Sequence, residues 1–213
     1  MGVCASQEPM TTTEVVLGRT DFAEKIPALL LAELRTDHAG EAGAVMIYRG
    51  VLSVSRNQEV RNFAHHHLRT ELQHLELIEA ILPKRFQSRP LPIWRLAGWL
   101  TGTLPSIFGP RAVYATIQAV ETFVDRHYQA QIEMIDALRN TLRDKRSSKS
   151  HYPPDDIALA EIRQLLDSFR MDELMHRDDA ESRWQGSPGL LLSVWLHCVS
   201  AGSALAVKIS RRI

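Results

Sequence analysis

LAEIRQLLDSFRMDELMH, from Leu159 to His176, reads as a helix whose apolar face ends in an acid and a histidine. Leu159, Ile162, Leu166 and Phe169 recur at steps of three and four, the period of an apolar helical stripe. The same steps continue onto Glu173 and His176, so the stripe turns polar without leaving the core face.

Three other segments repeat the pattern. In the segment beginning at Pro110, Ile117, Val124, Tyr128, Ile132 and Ile135 share a stripe that Glu121 completes. Leu34, Val45, Tyr48 and Leu52 share one with Glu41, while Leu68, Leu75, Ile78 and Leu82 share one with Glu71, and His74 stands beside it. Burying ionised carboxylates is costly unless they are paired or coordinate a metal, and these stripes carry no Arg or Lys. Metal is the economical explanation. Residues i and i+3 project from nearly one side of a helix, so ELQH (Glu71 to His74) and ELMH (Glu173 to His176) each offer an oxygen and a nitrogen to one centre. Four inward glutamates with Glu-x-x-His on two helices form the di-iron carboxylate pattern of four-helix bundles. The expected metal ligands are Glu41, Glu71, His74, Glu121, Glu173 and His176, and four carboxylates neutralise two divalent ions.

Outward from these stripes, helical periodicity extends over most of the chain. Segments run approximately from Pro27 to Ser53, Asn57 to Leu82, Ile93 to Leu104, Pro110 to Leu142, Pro154 to Trp184 and Gly189 to Ser210, with prolines, Pro105 among them, at the boundaries. The expected fold is all-α, a ferritin-like four-helix bundle with additional membrane-contacting helices. Residues 27–213 form one di-iron domain, 1–26 a flexible N-terminal tail, and the polar stretch at about 143–156 a loop. A length of 213 residues, 45% of them hydrophobic, fits one such domain. A formal charge of zero, with bases interleaved among acids, argues against a nucleic-acid partner. Cys4 and Cys198, at opposite ends, offer no disulfide framework.

Two stretches raise the question of a membrane. Gly189 to Val207 carries no formally charged side chain and is nearly long enough to span a bilayer, but its small residues suit helix packing, which favours burial or partial membrane contact over spanning. Pro90 to Arg111 is too broken by Gly and Pro to span. Its Trp94, Trp99 and Phe108, with Arg95 and Arg111 at the flanks, suit the headgroup region, and a plain helix connection accounts for it equally well.

The remaining histidines take blander roles. His65, His66 and His67 are expected to be solvated or to contact ligands from outside, His38 to partner Asp37, touch substrate or equally serve as a ligand, and His197 to be a hydrogen-bonded core residue. His127 and Tyr128 follow Glu121 by almost two turns and can face the same interior.

Such a site admits an oxygenase or oxidase, a ferritin-like iron-storage protein, or a rubrerythrin-like peroxide scavenger. Ferritin-type sites usually lack the second Glu-x-x-His, and no paired-cysteine module is present. The residues LRTDHAGEAGAVMIYRG, TELQHLE, AVETFVDRHYQAQI and FRMDELMHRDDA together resemble the 3-demethoxyubiquinol 3-hydroxylase family of ubiquinone biosynthesis, from about Leu29 to Ile213. The resemblance implies a di-iron monooxygenase hydroxylating a polyprenyl quinone ring with O2. It makes Glu71 and Glu173 bridges between two Fe ions, and matches His127 and Tyr128 to a catalytic His-Tyr pair linked to substrate and electron transfer. Reducing equivalents would come from NADH through the quinone, since no G-x-G-x-x-G is present to bind a dinucleotide. It further implies peripheral attachment to a membrane surface: the cytoplasmic face of a bacterial cell membrane, or the mitochondrial inner membrane in a eukaryote. A homo-oligomer or a lipid-binding accessory protein are the partners left open. The acid-containing N-terminus fits a bacterial member better than a mitochondrial precursor. A quinol oxidase that reduces O2 fully to water is the competing enzyme class. Two features depart from the family: the 143–156 loop looks long, and Lys208 stands where some members have a tyrosine.

Overall fold

The computed structural model describes residues 26–144 and 154–213. Six α-helices account for nearly all of them: α1 (Ala28–Val54), α2 (Gln58–Ile81), α3 (Leu91–Phe108), α4 (Pro110–Asp144), α5 (Pro154–Ser182) and α6 (Leu190–Ser210), with a 3₁₀ turn at Lys84–Phe86 and no strand among the described residues. The expected all-α architecture is the one observed.

Two helical hairpins, α1–α2 and α4–α5, form the bundle, and α3 lies along α1 as the crossover between them. The first hairpin turns sharply because Asn57 caps α2, accepting the Val60 N–H at 3.0 Å. Arg61 clasps the same turn through the carbonyls of Leu52 (2.6 Å) and Ser55 (3.1 Å). In the second hairpin, Arg139–Asp156, Arg163–Asp136 and Arg170–Asp125, at 2.7 to 2.8 Å, tie α4 to α5 along their length.

Apolar packing divides in two. One core gathers Leu30, Leu34, Ile78, Ile135, Ile162, Leu166 and Phe169; the other gathers Val51, Val60, Phe63, Ile117, Tyr114 and Ala180. Tyr128 belongs to the first and Tyr48 to the second, and the acid and histidine positions of the stripes lie between them. Burial on both sides shuts water away from that band.

The α1–α3 contact is unusually close because glycines face each other. A Cβ on Gly98 would stand 2.2 Å from the Gly43 carbonyl oxygen, and one on Gly102 would stand 1.9 Å from that of Ile47. Only glycine permits backbones to meet this way.

Several sequence expectations need correction. α3 does not stop before Pro105 but runs through it to Phe108. Proline costs the helix one N–H donor, and Pro105 turns its ring into the packed side of the helix, where that loss is offset by burial. The 143–156 loop is shorter than expected: α4 continues to Asp144, and Asp156 is already in α5, where Arg139 holds its buried carboxylate; the residues between lie outside the described residues. So does the tail, save for Ile26, which is packed into the first core. Helix α6 is not a core helix: it touches α4 and α1 along one edge and leaves most of its surface open, with only 6% of its apolar window buried. His197 and Cys198 are accordingly exposed, not interior.

Candidate metal centre

All six expected ligands converge. They come from the middles of four helices, Glu41 from α1, Glu71 and His74 from α2, Glu121 from α4, and Glu173 and His176 from α5, and every one is buried. One oxygen or nitrogen from each of Glu41, Glu71, His74 and Glu173 falls within 4.8 Å of the others, and the same holds for Glu71, Glu121, Glu173 and His176. Glu71 and Glu173 belong to both groups. The band is thus two overlapping ligand sets, each with one histidine and one carboxylate of its own.

Polar atoms point inward without satisfied hydrogen bonds. Glu41 Oε2, both oxygens of Glu71, His74 Nδ1, Glu173 Oε2 and His176 Nδ1 are all buried orphans. Yet they crowd together: His176 Nδ1 lies 3.0 Å from Glu71 Oε1 and 3.3 Å from Glu173 Oε2, and His74 Nδ1 lies 3.2 Å from Glu173 Oε1. Buried polar groups are normally paired, so a cluster of orphans aimed at shared points fits a pair of bound cations. The donor set, oxygen-rich with one imidazole per set, suits iron or manganese.

Protonation without a metal shows the same crowding. Burial, reinforced by the neighbouring charge of Glu173, pushes the Glu71 carboxyl up to about 8. Burial and the charges of Glu173 and Glu71 also hold Glu121 well above the usual carboxylate range. Burial opposes charge on His176, but the Glu173 and Glu71 carboxylates beside it outweigh this and raise the imidazole to about 11. His74 is raised in the same way, against burial, by Asp172, Glu173 and Glu41. Burial alone would raise Glu173; the two histidines reverse this and bring it to about 2.

Around this band lies a ring of supporting contacts, only part of which the stripes foretold. The Tyr48 hydroxyl donates to Glu121 Oε1 at 3.1 Å, and the Tyr128 hydroxyl donates to Glu41 Oε1. Asp172 Oδ2 lies 3.1 Å from His74 Nε2, and Phe169 stacks on that ring at 4.0 Å between centroids. The three-histidine run splits: His65 and His66 are exposed, while His67 is buried with its ring 4.3 Å from that of His176 and its Nε2 held by Asp179 at 2.9 Å. Sequence reading passed over Asp172 and Asp179, which precede a ligand by one residue or follow one by three, and over the role of Tyr48. A signal for Tyr48 existed in the equal spacing of Glu41 to Tyr48 and Glu121 to Tyr128.

His127 sits apart from the cluster. Its Nε2 lies 2.8 Å from Thr36 Oγ1, 2.8 Å from Gln131 Nε2 and 3.3 Å from Asp37 Oδ1, and its side chain remains partly open to solvent. Burial raises the Asp37 carboxyl, although its contacts with His127 and Gln131 oppose this. Asp37 is therefore engaged by α4, not by His38. The latter is buried with Nε2 3.4 Å from Glu79 Oε1.

An all-α bundle that closes around paired Glu and His sets has the architecture of the ferritin-like carboxylate proteins. Within that class the chain belongs to a single family: the family model described as ubiquinone biosynthesis protein COQ7 matches residues 28–210. Among curated proteins it is 30% identical over 208 residues to the 3-demethoxyubiquinol 3-hydroxylase of Rhodospirillum rubrum, covering 92% of this chain and 87% of that one. It is 28% identical over 186 residues to the mitochondrial NADPH-dependent 3-demethoxyubiquinone 3-hydroxylase of Homo sapiens, covering 84% and 76%. To the mitochondrial 5-demethoxyubiquinone hydroxylase of Saccharomyces cerevisiae it is 30% identical over 158 residues, covering 72% and 65%.

Proposed function

We propose that the chain is a di-iron monooxygenase that hydroxylates the ring of a demethoxyubiquinol in ubiquinone biosynthesis. The sharing of Glu71 and Glu173 between two complete ligand sets carries the metal half of this reading; membership of the family, whose relatives are named for this hydroxylation, supports the substrate half. Glu41 and His74 would hold one iron, Glu121 and His176 the other, with Glu71 and Glu173 between them. When bound, such a pair supplies two-electron reduction of O2 beside the substrate. In the overall reaction a ring C–H becomes C–OH, the second oxygen atom leaves as water, and two electrons and two protons are consumed.

The chain's own residues do the rest. The two apolar cores exclude water from the reacting volume. Tyr48 and Tyr128 fix the terminal carboxylates Glu121 and Glu41, while Asp172 fixes the orientation of His74. His127, partly open to solvent and bonded to Thr36 and Gln131, would pass protons between the surface and the side of the site where Tyr128 meets Glu41. Electrons would reach the site from NADH through the quinone. Several relatives carry NADPH in their names, so both nucleotides belong in the assay. Helices α3 and α6 would rest on the membrane that holds the quinone, at the cytoplasmic face of a bacterial cell.

Purified protein loaded with iron should convert a short-chain demethoxyquinol to its hydroxylated product under O2. Glu173→Ala should abolish both iron binding and turnover, and retention of two irons per chain in that variant sinks the ligand assignment. Recovery of plain quinone and water, with no hydroxylated product, would assign the chain to the quinol oxidases.

A further inference from the structure

Helices α3 and α6 run antiparallel: Ser88, before α3, contacts Ser210 at the end of α6 (3.5 Å), and Arg111, after α3, donates to the Ser187 carbonyl ahead of α6 (2.7 Å). Each exposes an apolar stripe, Ile93, Leu96, Leu100, Leu104 and Ile107 on α3, and Leu190, Val194, Ala201 and Leu205 on α6. Followed toward the Ser88–Ser210 end, both stripes give way to cations: Arg89 lies just before α3, and Leu205 is followed by Lys208 at the end of α6 and Arg212 just beyond it. Lys84, Arg85 and Arg95 join them at that end, where Arg35 binds the Phe86 and Arg211 carbonyls together (2.8 and 3.4 Å). All six of these cations are exposed, and none forms an ion pair with a described residue; the neighbouring Arg211 is neutralised by Glu33 at 2.7 Å. The opposite end exposes hydrocarbon, with Phe108 and Leu190 each 81% exposed and Leu191 87%, and the cation beside it, Arg111, is turned onto the Ser187 carbonyl.

We infer that this end-to-end polarity is a docking surface for anionic phospholipid, with the Phe108–Leu191 tip sunk among the acyl chains and the Arg89–Lys208–Arg212 end seated on the phosphates. The inference rests on the proposal that α3 and α6 face a membrane, and adds which lipid they select and which way they point. Apolar stripes alone bind any bilayer; unpaired cations gathered mainly at one end select negative headgroups and set a tilt. At 18 residues, α3 is roughly 27 Å long, enough to reach obliquely from the headgroups into one leaflet.

Cosedimentation of the iron-loaded full chain with vesicles of phosphatidylcholine alone, and of phosphatidylcholine mixed with phosphatidylglycerol, tests this. The wild type should bind the mixed vesicles far more tightly, with an affinity that falls as salt rises. The Arg89→Gln/Lys208→Gln/Arg212→Gln variant should lose on the order of a hundredfold on the mixed vesicles, roughly fivefold per cation, and nothing on the neutral ones. Phe108→Ser/Leu191→Ser should weaken binding to both. Equal wild-type binding to the two vesicle types, or an unchanged triple variant, overturns the lipid selection while leaving membrane contact standing. Failure to bind either vesicle overturns both.

Discussion

Tyr48, on the first helix of the bundle, donates its hydroxyl to Glu121 on the fourth at 3.1 Å. Seven residues beyond Glu121, Tyr128 returns the same bond to Glu41, seven residues before Tyr48. The two hairpins thus hold each other's terminal carboxylates in a crossed pair. Tyr48→Phe and Tyr128→Phe each leave a buried carboxylate oxygen without its donor. Iron affinity or turnover should drop by about 10- to 100-fold in either variant with little change in helical content. Competition against a chelator and steady-state turnover, beside circular dichroism, check this.

Shared and unshared carboxylates should behave differently. Glu71→Ala and Glu173→Ala each damage both ligand sets and should leave the chain without iron, whereas Glu41→Ala and Glu121→Ala each damage one. Elemental analysis after iron loading in the presence of a mild chelator separates the cases. Metal content that falls equally in all four variants contradicts the division into two overlapping sets.

Acidity should govern the metal-free protein in a predictable direction. His176 is raised from 6.5 to about 11 and Glu71 from 4.5 to about 8, and a raised group contributes stability that is present below its unfolded value and lost as pH climbs through the folded one. Metal-free protein should therefore lose thermal stability as pH rises, from about 4.5 through Glu71 and from about 6.5 through His176. Glu173, lowered from 4.5 to about 2, works in the other direction and costs stability only as pH falls below about 4.5. Iron binding requires deprotonated ligands, so the loaded protein should show a flatter alkaline limb and proton release on loading. Calorimetry of both forms between pH 6 and 9 checks the first expectation, and an indicator dye the second.

Gly102→Ala places a methyl group against the Ile47 carbonyl, where backbone cannot yield. The variant should be destabilised by about 1–3 kcal/mol as α3 is pushed from α1, read as a lower Tm. Gly202→Ala, which meets nothing within 4 Å, should be silent.

The candidate ligands were legible because a glutamate on an apolar stripe contradicts its surroundings, and a contradiction repeated on four helices has few explanations. Periodicity served the bundle equally well, since α1, α2, α4 and α5 are each longer than 20 residues. It failed where the signal was local and the outcome tertiary. Pro105 reads as a terminator, yet its ring lies on the packed side of α3 and the helix continues. His197 reads as interior because its neighbours are apolar, but α6 has only one edge against the bundle. Asp172 looks like an ordinary surface acid; its contact with His74 crosses from α5 to α2, and no spacing within one helix encodes it.

Sharing of Glu71 and Glu173 has a further consequence for how the centre fills. With one divalent ion in place, four buried carboxylates leave an excess of negative charge in a volume without water; with two, the charge closes to zero. Because Glu71 and Glu173 serve both positions, the two would not fill independently: an ion held at one would alter the carboxylates on which the other depends.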